Sequence, residues 1–381
     1  MSEGGWSPVT QVRVDVPGAE YTVSIGRGDV HSVGERLRAL TTAKIAALVT
    51  DQTVGDRYAL VVDTSLARQG FEVVSFTVPP GETSKNWSVA GELLESFAAH
   101  GLGRDSVVVA LGGGVVGDLA GFVAATYLRG VDFYQVPTTL LAMVDSSVGG
   151  KTAVDLSAGK NLAGAFKQPL GVLVDPAVLD TLPEPEWQSG MAEVAKSAIL
   201  DAGDFLEWIE ANSAALVEHQ PAAVEEAIRR SIEFKAGVVA RDEKEEGPRE
   251  CLNYGHTLGH ALEKVLGYGT ITHGSAVAEG IRFAARVAVQ CAGALKAFAK
   301  RQDKLLDALG LEPIRRHVQP MEVLAAMRGD KKAREGAIRF VLASAPGEWR
   351  CEPVDDIIIS QHLEAWAATK LARPAEDGEG E

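Results

Sequence analysis

Strand-like apolar runs alternate with helical stretches through the first half of this chain, and that alternation limits the fold more than any other feature. "KIAALVT" is a buried-strand run, and "FEVVSFTV", "SVVVAL" and "DFYQVP" follow it, separated by helical segments. Strands alternating with helices imply a mostly parallel sheet with helices on its faces. Ahead of them, "QVRVDV" and "YTVSIG" alternate apolar and polar residues, as paired strands do. After "GVLVDPAVLDTLPEPEW" the texture changes, and helical periodicity dominates from about residue 188 to 310. The Pro-rich "LPEPEW" marks the expected boundary. At 381 residues the chain is too long for one ordinary core. The expected division is an α/β domain over 1–183, a mainly helical domain over 184–372 and a disordered acidic tail, "RPAEDGEGE", over 373–381.

Composition narrows the class of partner. The formal net charge is −15, with no basic stripe, which argues against nucleic acid. An anionic ligand would need a local cluster of cations against that field. No apolar run reaches membrane-spanning length, and "MSEGGWSPVT" lacks the basic and apolar regions of a signal peptide. Three widely spaced cysteines with no CxxC pair suggest a reducing cytosol, so a cytoplasmic protein is expected.

"SVVVALGGGVVGDLAGF" reads as a strand, a glycine turn and a helix, and Gly112, Gly114 and Gly117 satisfy G-x-G-x-x-G. Backbone N–H groups at such a turn can bind a pyrophosphate. An acidic residue suited to the ribose lies upstream, at Asp51, where "KIAALVT" ends. The order is not that of the usual Rossmann unit but suits a dinucleotide. "DSSVGGKT" fails as a P-loop, because the first glycine would have to stand at Asp145. Arg129, Lys151, Lys160 and Lys167 lie in what reads as loop, where lysines are good anion ligands. For Lys167 a solvated surface is the plainer reading.

"GPRECLNYGHTLGHALEKVLGYG" reads as one complete helix, with Arg249, Asn253, His256 and His260 along a single face. The histidine spacing is that of a helical metal site, but H-T-L-G-H lacks the glutamate of the zinc-protease motif. His273, at the start of another helix, and Glu193, which shares a helix face with Lys196, are further candidate ligands. Spacing leaves open which of these residues meet.

Together "LGGGVVGDLAGFVAATYLRG", "VPTTLLAMVDSSVGGKTAVD", "GKNLAGAF", "GMAEVAK", "LNYGHTLGHALE", "HGSAVAEG" and "GDKKAREGAIRFVL" resemble 3-dehydroquinate synthase, of the sugar phosphate cyclase superfamily, from about residue 20 to 365. The resemblance implies a Rossmann-like NAD-binding domain, a helical metal- and substrate-binding domain and an active site between them. It implies a homodimer using NAD and a divalent metal, usually Zn2+, with Co2+ an alternative. The metal ligands it implies are Glu193, His256 and His273, while His260 contacts the substrate phosphate. NAD contacts would be Asp51, Glu82, Lys85, Gly114, Asp118, Thr138 and Thr139, with Lys160 on the nicotinamide side. Substrate contacts would be Asp145, Lys151, Asn161, Lys196, Lys235, Arg249, Asn253 and one of Lys331 and Lys332, with Arg129 reaching the neighbouring subunit's substrate. Ala195 and Ser197 depart from the larger residues common in the family, at positions that concern packing.

The implied reaction converts 3-deoxy-D-arabino-heptulosonate 7-phosphate to 3-dehydroquinate and phosphate, a shikimate-pathway step. It proceeds by transient NAD oxidation, phosphate β-elimination, re-reduction, ring opening and intramolecular aldol closure. The rival expectations are another cyclase, making an inosose or valiolone from a sugar phosphate without a carboxylate, and a metal-dependent polyol dehydrogenase. Lys235 and Arg249 together favour the carboxylate substrate.

Overall fold

The computed structural model describes residues 9–329 and 337–370. The described residues form two compact units, one of residues up to 190 with 219–249 and one of 191–218 with those from 250 on; the acidic tail 373–381 lies outside the described residues. The division is less simple than a cut after residue 183. The helix Glu184–Leu200 runs from the first unit into the second, and the helix Pro221–Arg241 returns to the first. That return has a packing cause, since Pro221–Arg241 lies against the first strand of the sheet.

The first unit is built on seven strands. They are β1 (Thr10–Val14), β2 (Tyr21–Ile25), β3 (Ile45–Asp51), β4 (Glu72–Val78), β5 (Ser106–Gly112), β6 (Asp132–Pro137) and β9 (Gly171–Val174), in the order β1-β2-β9-β6-β5-β3-β4. All neighbours pair in parallel except β1 with β2, which are antiparallel. Burial explains the continuous apolar runs. Ala46 and Leu48 of β3 with Val107, Val109 and Leu111 of β5 face one core, where Leu37 and Leu66 pack. Ala47, Val49, Val108 and Ala110 face a second core filled by Phe97, Leu119, Phe122 and Val123. A strand covered on both faces has no polar side to alternate.

Strand order reverses on either side of β3: β4 lies beyond one edge and β5 beyond the other. In open parallel sheets the carboxyl ends at such a switch point form the ligand crevice. Here those ends carry Asp51 and the glycine turn.

The segment with Lys151 and Lys160, expected as loop, is an antiparallel hairpin of β7 (Lys151–Leu156) and β8 (Gly159–Phe166). Its alternating Thr152, Val154 and Ala163 had been obscured by the glycines on either side. The second unit is mainly helical, with one small sheet, β10 (Arg339–Ala345) paired with β11 (Glu348–Pro353). Among the described residues no helix is long and apolar enough to cross a membrane.

Candidate active site

The glycine turn is the strand–turn–helix that the sequence implies: β5 ends at Gly112 and a helix runs Gly114–Thr126. Gly113 caps that helix without any side-chain hydrogen bond, so its first N–H groups are not taken by a side-chain cap. At the end of β6 the buried Thr138 Oγ1 has no hydrogen-bond partner, and Thr139 Oγ1 accepts from Ala142 N at 3.2 Å. Asp51 caps the turn after β3, accepting from Val54 N at 3.0 Å.

Lys85 pairs with Asp118, in the first turns of the helix after the glycine turn, at 3.0 Å and with Glu82 at 3.3 Å, while Lys160 stands 3.6 Å from Glu82. Burial works against the Lys85 ammonium, but Asp118 and Glu82 outweigh it and raise its pKa. An uncapped helix end with an orphaned hydroxyl and a cation held charged fits a dinucleotide phosphate site.

A second cluster in the first unit carries the cations expected at a substrate carboxylate. Lys235 donates to the Asp145 backbone oxygen at 2.6 Å and to its carboxylate at 2.5 Å. Arg249, 1% exposed, donates to Gly149 O at 2.9 Å and to Glu243 O, yet its buried Nε has no acceptor. Burial pulls the Arg249 pKa down, with Glu245 and Asp145 opposing it. Asp242 builds the loop that presents Arg249. Its carboxylate accepts from Glu246 N at 3.0 Å, Gly247 N at 2.8 Å and Arg249 N at 3.0 Å. Tyr21 accepts from Gly149 N at 3.0 Å, and burial pushes its phenol up to about 12. Lys151 pairs with Glu245. Asn161, in a left-handed conformation at φ +55°, is held through its N–H by Asp155 at 2.8 Å.

The stretch expected as one helix is two. A 3-10 turn covers Pro248–Asn253, Gly255 takes φ +81°, and the α-helix spans His256–Leu266. The single stripe of four side chains therefore does not form. The break comes from packing: Gly280 of the helix His273–Cys291 approaches so closely that a Cβ there would stand 1.8 Å from Gly255 O. His256 and His260 do keep their shared face, with ring centroids 5.3 Å apart.

In the second unit Glu193, His256 and His273 converge, with all three ligand atoms within 4.8 Å of one another. Glu193 Oε1 lies 3.6 Å from His256 Nε2 and 3.7 Å from His273 Nε2. Those gaps are too long for hydrogen bonds, and the buried Oε1 has no hydrogen-bond partner. They match the roughly 3.4 Å between ligand atoms that surround one tetrahedral zinc at ordinary bond lengths. The residues therefore fit a divalent ion. Lys196 pairs with Glu193 Oε2, and both are almost wholly buried. Burial pushes the Glu193 carboxyl up, but Lys196 and His273 outweigh it and bring it down to about 2. Burial lowers His273, yet Glu193 and Glu263 bring its pKa up to about 9.

Glu263 escaped the reading of the sequence. It accepts from, or shares a proton with, His273 Nδ1 at 3.1 Å and lies 7% exposed by side chain. Its position seven residues after His256, on the same helix, was the available signal. Lys331 and Lys332 lie outside the described residues.

Two solved structures share this architecture. 2-Deoxy-scyllo-inosose synthase, complexed with carbaglucose-6-phosphate, NAD+ and Co2+, is 27% identical, with TM-score 0.86 over 93% of this chain and 100% of its own. A 2-epi-5-epi-valiolone synthase from Streptomyces hygroscopicus with NAD+ and Zn2+ is 25% identical, with TM-score 0.81 over 92% of this chain and 97% of its own. The fold thus places the chain with the sugar phosphate cyclases. Residues 75–189 match 3-dehydroquinate synthase N-terminal, and residues 190–333 match 3-dehydroquinate synthase C-terminal. A 3-dehydroquinate synthase from Desulforamulus reducens is 45% identical over 338 residues, covering 88% of this chain and 94% of the relative. The chain belongs to the 3-dehydroquinate synthase family.

Proposed function

We propose that this protein is a phosphate-eliminating lyase that converts 3-deoxy-D-arabino-heptulosonate 7-phosphate to 3-dehydroquinate and phosphate. The observation that carries this choice of substrate is the pair of buried cations beside Asp145: Lys235 bonded to it, and Arg249 with its Nε left without an acceptor. A substrate carboxylate satisfies both, since a planar guanidinium fits a carboxylate through paired hydrogen bonds.

Bound NAD supplies reversible hydride acceptance, and a bound divalent ion, Zn2+ by preference, supplies Lewis acidity at a carbinol oxygen. Glu193, His256 and His273 would hold the ion, and Asp51, Glu82, Lys85, Gly114, Asp118, Thr138, Thr139 and Lys160 the dinucleotide. Lys235 and Arg249 hold the substrate carboxylate. Lys151, Asn161, His260 and Arg129 of the partner subunit hold the phosphate. Asp145, Lys196 and Asn253 contact the substrate nearer the reacting carbons. Once a ring carbinol is at the ketone level, the neighbouring C–H is acidified and phosphate leaves by β-elimination, taking that proton itself. Fixing both anionic ends of the substrate keeps these groups aligned, and much of the acceleration comes from that proximity. Arg129 stands exposed on a turn with φ +67°, after Leu128 at φ +50°, which supports a role directed at another copy. The working unit is proposed as a cytoplasmic homodimer.

The test is substrate discrimination. With NAD and Zn2+, phosphate release from the heptulosonate phosphate should exceed that from a seven-carbon sugar phosphate lacking the carboxylate by at least 100-fold. Arg249→Met should erase most of that preference. Equal release from both sugars would point instead to a cyclase of the inosose or valiolone type.

A further inference from the structure

We infer that Glu263 is a positioning residue of the metal centre, holding His273 through Nδ1 so that Nε2 is presented to the ion. The inference rests on the metal reading above. His256 and His273 each have two ring nitrogens, and a ligand imidazole must have one of them fixed before the other can be aimed. For His256 the fixing group is a backbone carbonyl: Nδ1 lies 3.1 Å from Tyr254 O, and Nε2 faces Glu193. For His273 it is a carboxylate. Nδ1 lies 3.1 Å from Glu263 Oε2, while Nε2 lies 3.7 Å from Glu193 Oε1.

His260, Glu263 and His273 also form a group whose ligand atoms lie within 4.8 Å of one another. That group could hold the ion itself, with Glu263 as a ligand. Two observations decide against it. The Glu263–His273 contact already has hydrogen-bond length, so Nδ1 is engaged on that side. Glu193 Oε1, by contrast, is buried without a hydrogen-bond partner, the state expected of an oxygen waiting for a cation. Glu263 is itself buried, at 5% exposure, and a carboxylate is kept there at a cost that the bond to His273 offsets. The two helices bring these side chains together because Gly259 lets the backbone of Ala276 come within 3.2 Å of where a Cβ would stand.

The experiment uses the full-length protein, stripped of metal, with the variants Glu263→Gln and Glu263→Ala. Zn2+ affinity is measured by competition with a chromophoric chelator, and the visible spectrum is recorded after loading with Co2+. Loss of an outer-shell partner of this kind weakens metal binding about 10- to 100-fold. Glu263→Gln, which keeps an acceptor, should fall near the lower figure, Glu263→Ala near the upper one, and both should shift the Co2+ bands while keeping one ion per chain. Zn2+ affinity within twofold of the unsubstituted protein, with unchanged Co2+ bands, would overturn the inference. So would metal retained by His256→Ala but lost from Glu263→Gln, which would make Glu263 a ligand. Should Glu263→Ala fail to fold, the near-isosteric Glu263→Gln decides alone. If the unsubstituted protein bound no Zn2+, the metal reading itself would fail, an outcome distinct from normal binding by the variants.

Discussion

Glu193 shows what a single residue must satisfy here. Its carboxylate is 1% exposed, with one oxygen answered by Lys196 and the other facing His256 and His273 without a hydrogen bond. Lys196 already answers the charge; the oxygen left without a hydrogen bond, beside two imidazole nitrogens, has the surroundings of a metal ligand. The prediction is that His256→Ala loses the metal, read by elemental analysis after gel filtration. His260→Ala should keep one ion per chain and lose activity roughly 10- to 100-fold, the value of a charge-assisted hydrogen bond to phosphate. Metal loss in His260→Ala would contradict the ligand set. Residue types were legible at this scale because His256 and His260 are close in sequence. Glu263 was less so: its spacing of seven from His256 puts it on the histidine face, but its role depends on a bond to His273 in the next helix.

At the scale of elements, the helices His256–Leu266 and His273–Cys291 depend on glycine at their crossing. Gly280→Ala would drive a methyl group into Gly255 O and displace the start of the helix that carries His256. The expected cost is roughly 1–3 kcal/mol of stability, seen as a lower melting temperature, with weaker Zn2+ binding alongside. An unchanged melting temperature would show that the crossing is looser than described. The 242–249 loop makes a pH prediction. Burial raises the Asp242 carboxyl, but the N–H groups of Glu246, Arg249 and Gly247 outweigh it and hold its pKa below the usual carboxylate range. A pKa depressed on folding adds stability that is complete above the unfolded value of about 3.9 and lost as pH falls through the lower folded value. Asp242→Ala should therefore cost roughly 1 kcal/mol near neutral pH, by analogy with a helix cap, and progressively less as pH falls below the usual carboxylate range. A cost independent of pH would argue against this bonding. The helix break at Gly255 and the hairpin at 151–166 were hidden in the sequence for one reason. Glycine reads as a stop or a loop, and only the neighbouring backbone shows whether it is a break, a crossing or a strand end.

At the scale of the whole molecule, the parallel sheet was legible because both of its faces are covered, leaving unbroken apolar strands. The return of Pro221–Arg241 to the first unit was not, because a helix's periodicity shows that it is half-buried without showing against what. In the proposed reaction, oxidation and re-reduction occur within one catalytic cycle. Its most direct test supplies the protein and Zn2+ with the heptulosonate phosphate in large excess over NAD, following phosphate release together with absorbance at 340 nm. Many phosphates should be released per NAD, with no accumulating NADH. One NADH formed per substrate consumed, or phosphate release that stops after a single equivalent of NAD, would contradict it.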